Sequence, residues 1–175
     1  MKKEDKEILL NEILKDLHKS TLSIPVLNGY KVLENPKGAI MVAESDDHSV
    51  EQFLEDGKLA KGETFEKRLK KVLKETQKSM VDSGLENREL EYLGELETDL
   101  FTFQLYLQDN IMGEKQVRQI NAYFLEPESK YFYEITLAAP PLYVKDMNDQ
   151  VSENIYSRIK PILTHIKYNE NNPIQ

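Results

Sequence analysis

The chain contains no cysteine, which removes disulfides, thiolate metal sites and cysteine nucleophiles from consideration. It has no apolar run near the roughly 20 residues that a membrane-spanning helix needs. Basic charge is in short supply, with 23 Lys and Arg against 31 Asp and Glu and a formal net charge of -8. Nucleic acids and anionic membrane surfaces are met by basic faces, so neither is an expected partner. Only 7 glycines are present. Gly29, Gly38, Gly57 and Gly62 stand alone as turn residues, and no phosphate loop or dinucleotide fingerprint can be assembled from them. The start, "MKKEDKEILLNEILKDLHKS", lacks the unbroken apolar core of about 7–15 residues that marks a signal peptide, so the expected location is cytoplasmic.

What is present is a body with a core. Hydrophobic residues make up 39% of 175 positions and charged residues 31%. A chain of this length fits one domain and can bury about 70% of the surface its unfolded form exposes. Leu9, Leu10, Ile13, Leu14 and Leu17 recur at helical spacing, so residues 1–19 read as an N-terminal amphipathic helix. Residues 20–168 read as a single α+β domain and residues 169–175 as a frayed tail. Within the domain, Asn28-Gly29 between alternating apolar residues predicts a tight hairpin. Pro25, lacking a donor, places its strand at an edge. "AIMVAES" is a short strand, and residues 45–62 read as a short helix followed by a mobile loop. The spacing of Phe65, Leu69, Val72, Leu73, Met80 and Val81 predicts a long helix over 64–81, stopped by Gly84.

After Gly84 the apolar period changes from 3.6 to 2. Residues 90–96, Phe101 to Gln108, Gln119 to Phe124 and Tyr131 to Ala138 then form an antiparallel meander. In "YFYEITLAAPP" the alternation stops at Pro140-Pro141, which cannot donate to a neighbouring strand and so end the ladder. Val151, Ile155, Ile159, Ile162 and Ile166 stripe a closing helix over 148–167 that Pro161 should kink or interrupt. The expected fold is an antiparallel sheet of about five to seven strands packed by helices.

The order of hairpin, short strand, long helix, meander and closing helix resembles the PsbP/DcrB-like family, an α/β/α sandwich. The likeness is strongest in "YFYEITLAAPPLYVKDMNDQVSENIYSRIKPILTHIK" and extends back to "LSIPVLNGYKVLENPKGAIMVAESD". It implies an accessory subunit, a chaperone of secreted proteins or a partner of larger proteins, and not an enzyme. A protein or peptide partner follows, with no cofactor and with the oligomeric state left open. The acidic run "AESDDHSVEQ" stands where typical members carry an aromatic-rich segment, so any contact made there would differ.

Three constellations carry potential chemistry. Glu44, Asp46, Asp47 and His48 offer oxygen and imidazole donors for an ion, and support an alternative reading as a small-molecule or metal-dependent hydrolase or sensor. The spacing of a calcium loop is missing, so a solvated loop with Asp47 or Ser49 capping the next helix is favoured. Lys67, Arg68, Lys70, Lys71 and Lys74 give the long helix a basic side, read as a solvated face paired with its glutamates. The sheet's second face collects Gln104, Tyr106, Asn121, Tyr123, Glu134 and Thr136. Either water or a light cover satisfies these groups, or they line a cleft that grips a peptide or small molecule. These six are the candidate binding residues; no catalytic or metal-binding residue is assigned.

Overall fold

In the computed structural model the described residues are 9–10, 22–34, 36, 38–82 and 90–168. Twelve strands are described: β1 (Leu9–Leu10), β2 (Leu22–Ser23), β3 (Val26–Leu27), β4 (Lys31–Val32), β5 (Met41–Glu44), β6 (Val50–Lys58), β7 (Glu91–Glu97), β8 (Thr102–Met112), β9 (Lys115–Leu125), β10 (Tyr131–Ala138), β11 (Leu142–Tyr143) and β12 (Lys167–Tyr168). Two α-helices are described, α1 (Phe65–Asp82) and α2 (Asp149–Thr164).

The main sheet runs in the order β4-β5-β6-β10-β9-β8-β7, with β11 added to β9. Every pairing is antiparallel. β7 to β10 form the expected meander. β6 lies beside β10, so the connection from β6 to the far edge at β7 must cross the sheet, and α1 makes that crossing. This is why α1 lies on one face. The α2 helix follows β10 and covers the other, so the fold is the expected α+β sandwich.

Adjacent residues on a strand point to opposite faces, and the burial follows. Phe101, Phe103, Leu105, Ile120, Phe124, Ile135 and Leu137 pack with Ile155, Ile159 and Ile162 of α2 and with the 22–27 segment in the larger core. On the second face Tyr123 and Phe132 pack under Leu69 and Val72 of α1. Pro161 sits inside α2 without ending it, and the helix continues to Thr164, with His165 as its C-cap. Gly84 and the 169–175 tail lie outside the described residues. So does most of 1–19; at Leu9–Leu10 the chain is extended and pairs with Leu27 and Val26.

Two local expectations are corrected. Residues 50–58 are not a helix and loop but a strand bonded on both sides, to β5 and β10. Its alternation is real, but the buried positions are Glu51 and Phe53, and a carboxylate on the core face hides the apolar period. Asp47 therefore caps no helix. It closes a turn, its Oδ1 accepting from the Ser49 N–H at 3.2 Å and from the Ser45 hydroxyl. The second correction concerns Asn28-Gly29. Only Gly29 takes a positive φ, +85°, while the Tyr30 N–H donates to the Leu27 carbonyl at 3.1 Å. A two-residue hairpin needs positive φ at both central positions, whereas a turn with glycine third needs one. The flanking strands belong to different sheets, β3 to the β1 pair and β4 to the main sheet, so no hairpin register is imposed.

The β8–β9 hairpin is tied to α2 by Arg118. Its guanidinium donates to both carboxylate oxygens of Asp109, at 2.8 and 3.0 Å, and to Ser152 Oγ and the Asn148 carbonyl. Both partners of the ion pair are largely shielded. Arg118→Ala strands these acceptors, and unfolding in urea should show a loss of about 2 kcal/mol.

Candidate functional site

The six candidate residues of the second face separate into three groups. Tyr123 is fully buried, its ring 6.0 Å from Phe132 and beneath α1. Burial pushes its phenol up, with the Glu134 charge adding to the effect. Thr136 is buried beside Asn121 in register. Asn121 is buried in a chain of amides, donating to Gln108 Oε1 at 2.8 Å and accepting from Gln119 Nε2 at 2.7 Å. Gln108 in turn donates to Asn110 Oδ1 at 3.2 Å. Buried as they are, Tyr123, Thr136 and Asn121 do not present themselves to a partner, and Asn121 is already engaged by its neighbouring amides.

Gln104 and Tyr106 are half-buried next to the edge strand, Tyr106 packing against the edge of the cluster under α1. There the Tyr92 hydroxyl donates to Gln104 Oε1 at 2.7 Å, and Gln104 Nε2 donates to Glu95 Oε1 at 2.9 Å. The Tyr92 and Tyr106 rings are 5.1 Å apart and Tyr106 and Tyr123 5.9 Å apart, a row of three tyrosines running inward from solvent. Tyr92 is 54% exposed.

Glu134 belongs to the third group. It lines a cleft of about 490 Å³ between α1 and the sheet, together with Asp56, Glu75, Thr76, Gln108 and Asn110. Burial is the main cause that pushes the Glu134 carboxyl up to about 7; Asp56 raises it further, and the bond from Tyr123 opposes the rise. Asp56 is raised by burial first, with Glu75 adding repulsion and Arg68 opposing. A group of partly desolvated carboxyls that repel one another favours a cation as neighbour.

These places are continuous. Gln104, Tyr106, Gln108 and Asn110 alternate along β8, so all four face the α1 side. At about 3.4 Å per residue the row is roughly 20 Å long. Glu95 pairs with Gln104 at one end of it, and Gln108 and Asn110, toward the other, share the lining of the cleft with Asp56, Glu75 and Glu134. The row is bordered by β7, which pairs only with β8 among the described residues and is the sheet's outer strand.

The other two constellations resolve into ordinary surface chemistry. Glu44 and His48 form an exposed pair at 2.9 Å, and Asp47 is turned into its own loop. Among the described residues no group of three or more His, Cys, Asp or Glu is placed to hold a metal ion. On the basic side of α1, Arg68 reaches back to Glu63 at 2.7 Å and to the Asp56 carbonyl at 2.7 Å, clamping the β6–α1 connection.

Tyr92, Glu95, Asp56 and Glu75 were not among the candidates drawn from the sequence. Tyr92 and Glu95 were legible in "EYLGELE", but a bulge between Tyr92 and Gly94 shifts the register and puts both on the second face. Asp56 was lost with the misread strand.

The fold so defined is an antiparallel sheet between two helices. It is similar to that of LpqN of Mycobacterium tuberculosis, a protein involved in cell envelope biogenesis. The two structures match with a TM-score of 0.50 at 13% sequence identity, over 87% of this chain and 85% of the other. At that identity the likeness is one of fold. A scan against family models and a search of curated proteins each find no match. No helix among the described residues is long and apolar enough to cross a membrane.

Proposed function

We propose that this chain is a non-enzymatic protein-binding module that takes an extended, lysine- or arginine-bearing segment of a partner along the polar row of β8. The observation that carries this is the row itself, with tyrosines and Glu95 at its open end and an acidic cleft, lined by Asp56, Glu75 and Glu134, reaching Gln108 and Asn110. An extended segment laid beside β7 would gain backbone hydrogen bonds from that edge. Glu95 and Glu97, on the row's side of β7, would select basic over acidic sequences, because like charges brought together at an interface are penalised. The three-layer arrangement also supports the resemblance to the PsbP/DcrB-like family and the accessory or chaperone-like role it implies. A cytoplasmic setting belongs to the same proposal.

Fluorescence anisotropy with labelled decapeptides tests it. One peptide alternates lysine with threonine and valine, and its counterpart carries glutamate at each lysine. The lysine peptide should bind selectively, and Tyr106→Ala should weaken it about thirtyfold, the cost of truncating a central interface tyrosine. Binding should also tighten as pH rises through about 7, where Glu134 gains its charge. Equal affinity for the two peptides would contradict the proposal.

A further inference from the structure

On the opposite face, where the strand 131–138 meets its two prolines, lies a second cavity of about 310 Å³, between the end of β10 and α2. Its lining is mainly aliphatic: Leu137, Pro140, Leu142, Val151 and Ile155 surround it, and Arg158 enters from the side of α2. Arg158 is half-buried. Its guanidinium rests over the Tyr30 ring, 5.2 Å from the centroid, a contact of the cation–π type. Among the described residues it forms no ion pair.

The ring under it is held in place. Tyr30 and Ser49 share a hydrogen bond between their hydroxyls, and Ser49 Oγ donates to the Ala138 carbonyl at 2.8 Å. The cation is therefore positioned by stacking while its N–H groups remain available, and a guanidinium offers five of them in a planar fork that fits a carboxylate. Two acidic residues lie nearby, and neither forms an ion pair with it, though its charge reaches both. Asp47 lines the cavity, but its carboxylate accepts from the Ser45 hydroxyl and the Ser49 N–H of its own turn. Glu51 is fully buried behind the wall and is pushed by burial to about 8, so it carries little charge at neutral pH.

We infer that this cavity is a binding site for a small amphipathic carboxylate, its aliphatic body against Leu137, Leu142, Val151 and Ile155 and its head on the Arg158 fork. The site is separate from the β8 row and does not depend on the function proposed for it. A mainly apolar lining with a few convergent polar groups is the usual composition of a small-molecule site.

Isothermal titration calorimetry on the full chain with octanoate, octanol and octylammonium tests the assignment. Octanoate should bind saturably with one site, at least roughly tenfold more tightly than either analogue, since the ionic contact is the discriminating one. Arg158→Gln should remove that tenfold preference over octanol, and Arg158→Lys should restore part of it. Leu142→Glu, at the rim, should abolish octanoate binding while the melting temperature stays near that of the parent. No saturable octanoate binding, equal affinity in Arg158→Gln and the parent, or octylammonium binding as tightly as octanoate would each overturn the inference.

Discussion

Replacing Glu51 with glutamine is expected to leave stability near pH 5 almost unchanged and to raise it substantially above pH 8. Glu51 sits in the middle of the larger core, opposite Ala43 on one side and Leu137 on the other. Its Oε1 accepts from the Leu27 N–H at 3.0 Å, and its Oε2 has no partner. Burial pushes the carboxyl from 4.5 up to about 8, against the Leu27 hydrogen bond and the Arg158 charge, which both favour the ionised form. A carboxyl whose folded pKa is raised holds its proton more tightly folded than unfolded. Its contribution is therefore complete below about pH 4.5 and is lost as pH rises through about 8. Across that window the full effect is on the order of 5 kcal/mol. Glutamine keeps the acceptor for Leu27 and cannot ionise. Glu134 titrates in the same range, so the quantity to compare is the difference between variant and parent in urea unfolding at each pH. A constant difference across pH 5 to 9 would show that Glu51 does not behave as its burial requires.

The second large effect is expected at Tyr123. Tyr123→Ala should cost about 3–5 kcal/mol, the range for removing a large buried aromatic, because the ring fills the contact between α1 and the sheet with Phe132, Leu69 and Val72. Tyr92→Ala, at the outer end of the same tyrosine row, should change stability by no more than about 0.5 kcal/mol and act on partner binding instead. Thermal unfolding of the two variants checks the contrast. Equal and small costs would mean that α1 does not clamp this face.

The division of labour along that row explains what was readable in the sequence. The period-two alternation of 101–137 and the isoleucine stripe of α2 are strong signals, because each repeats over many residues and each apolar face is buried. They place the meander, the closing helix and the larger core. Gln104, Tyr106, Asn121, Tyr123, Glu134 and Thr136 do share one face of the sheet, but alternation says only which residues share a face, not what lies over it. Cover comes from the β6-to-β10 pairing, a contact between residues some eighty positions apart, which obliges α1 to cross the sheet. That pairing was hidden because Glu51 occupies a core position and the strand around it does not look apolar. Tyr92 and Glu95 escaped for a smaller reason, a one-residue bulge that inverts the face of everything before it.

A basic, extended segment received by the polar row of β8 and the edge at β7 should shield the backbone amides of that edge. Hydrogen exchange of backbone amides, with and without the saturating lysine decapeptide, tests this most directly. New protection is expected among the outward-facing amides of residues 91–97, with the amides of α2 unchanged. Bound peptide that leaves 91–97 exchanging as before, or that protects only α2, would contradict it.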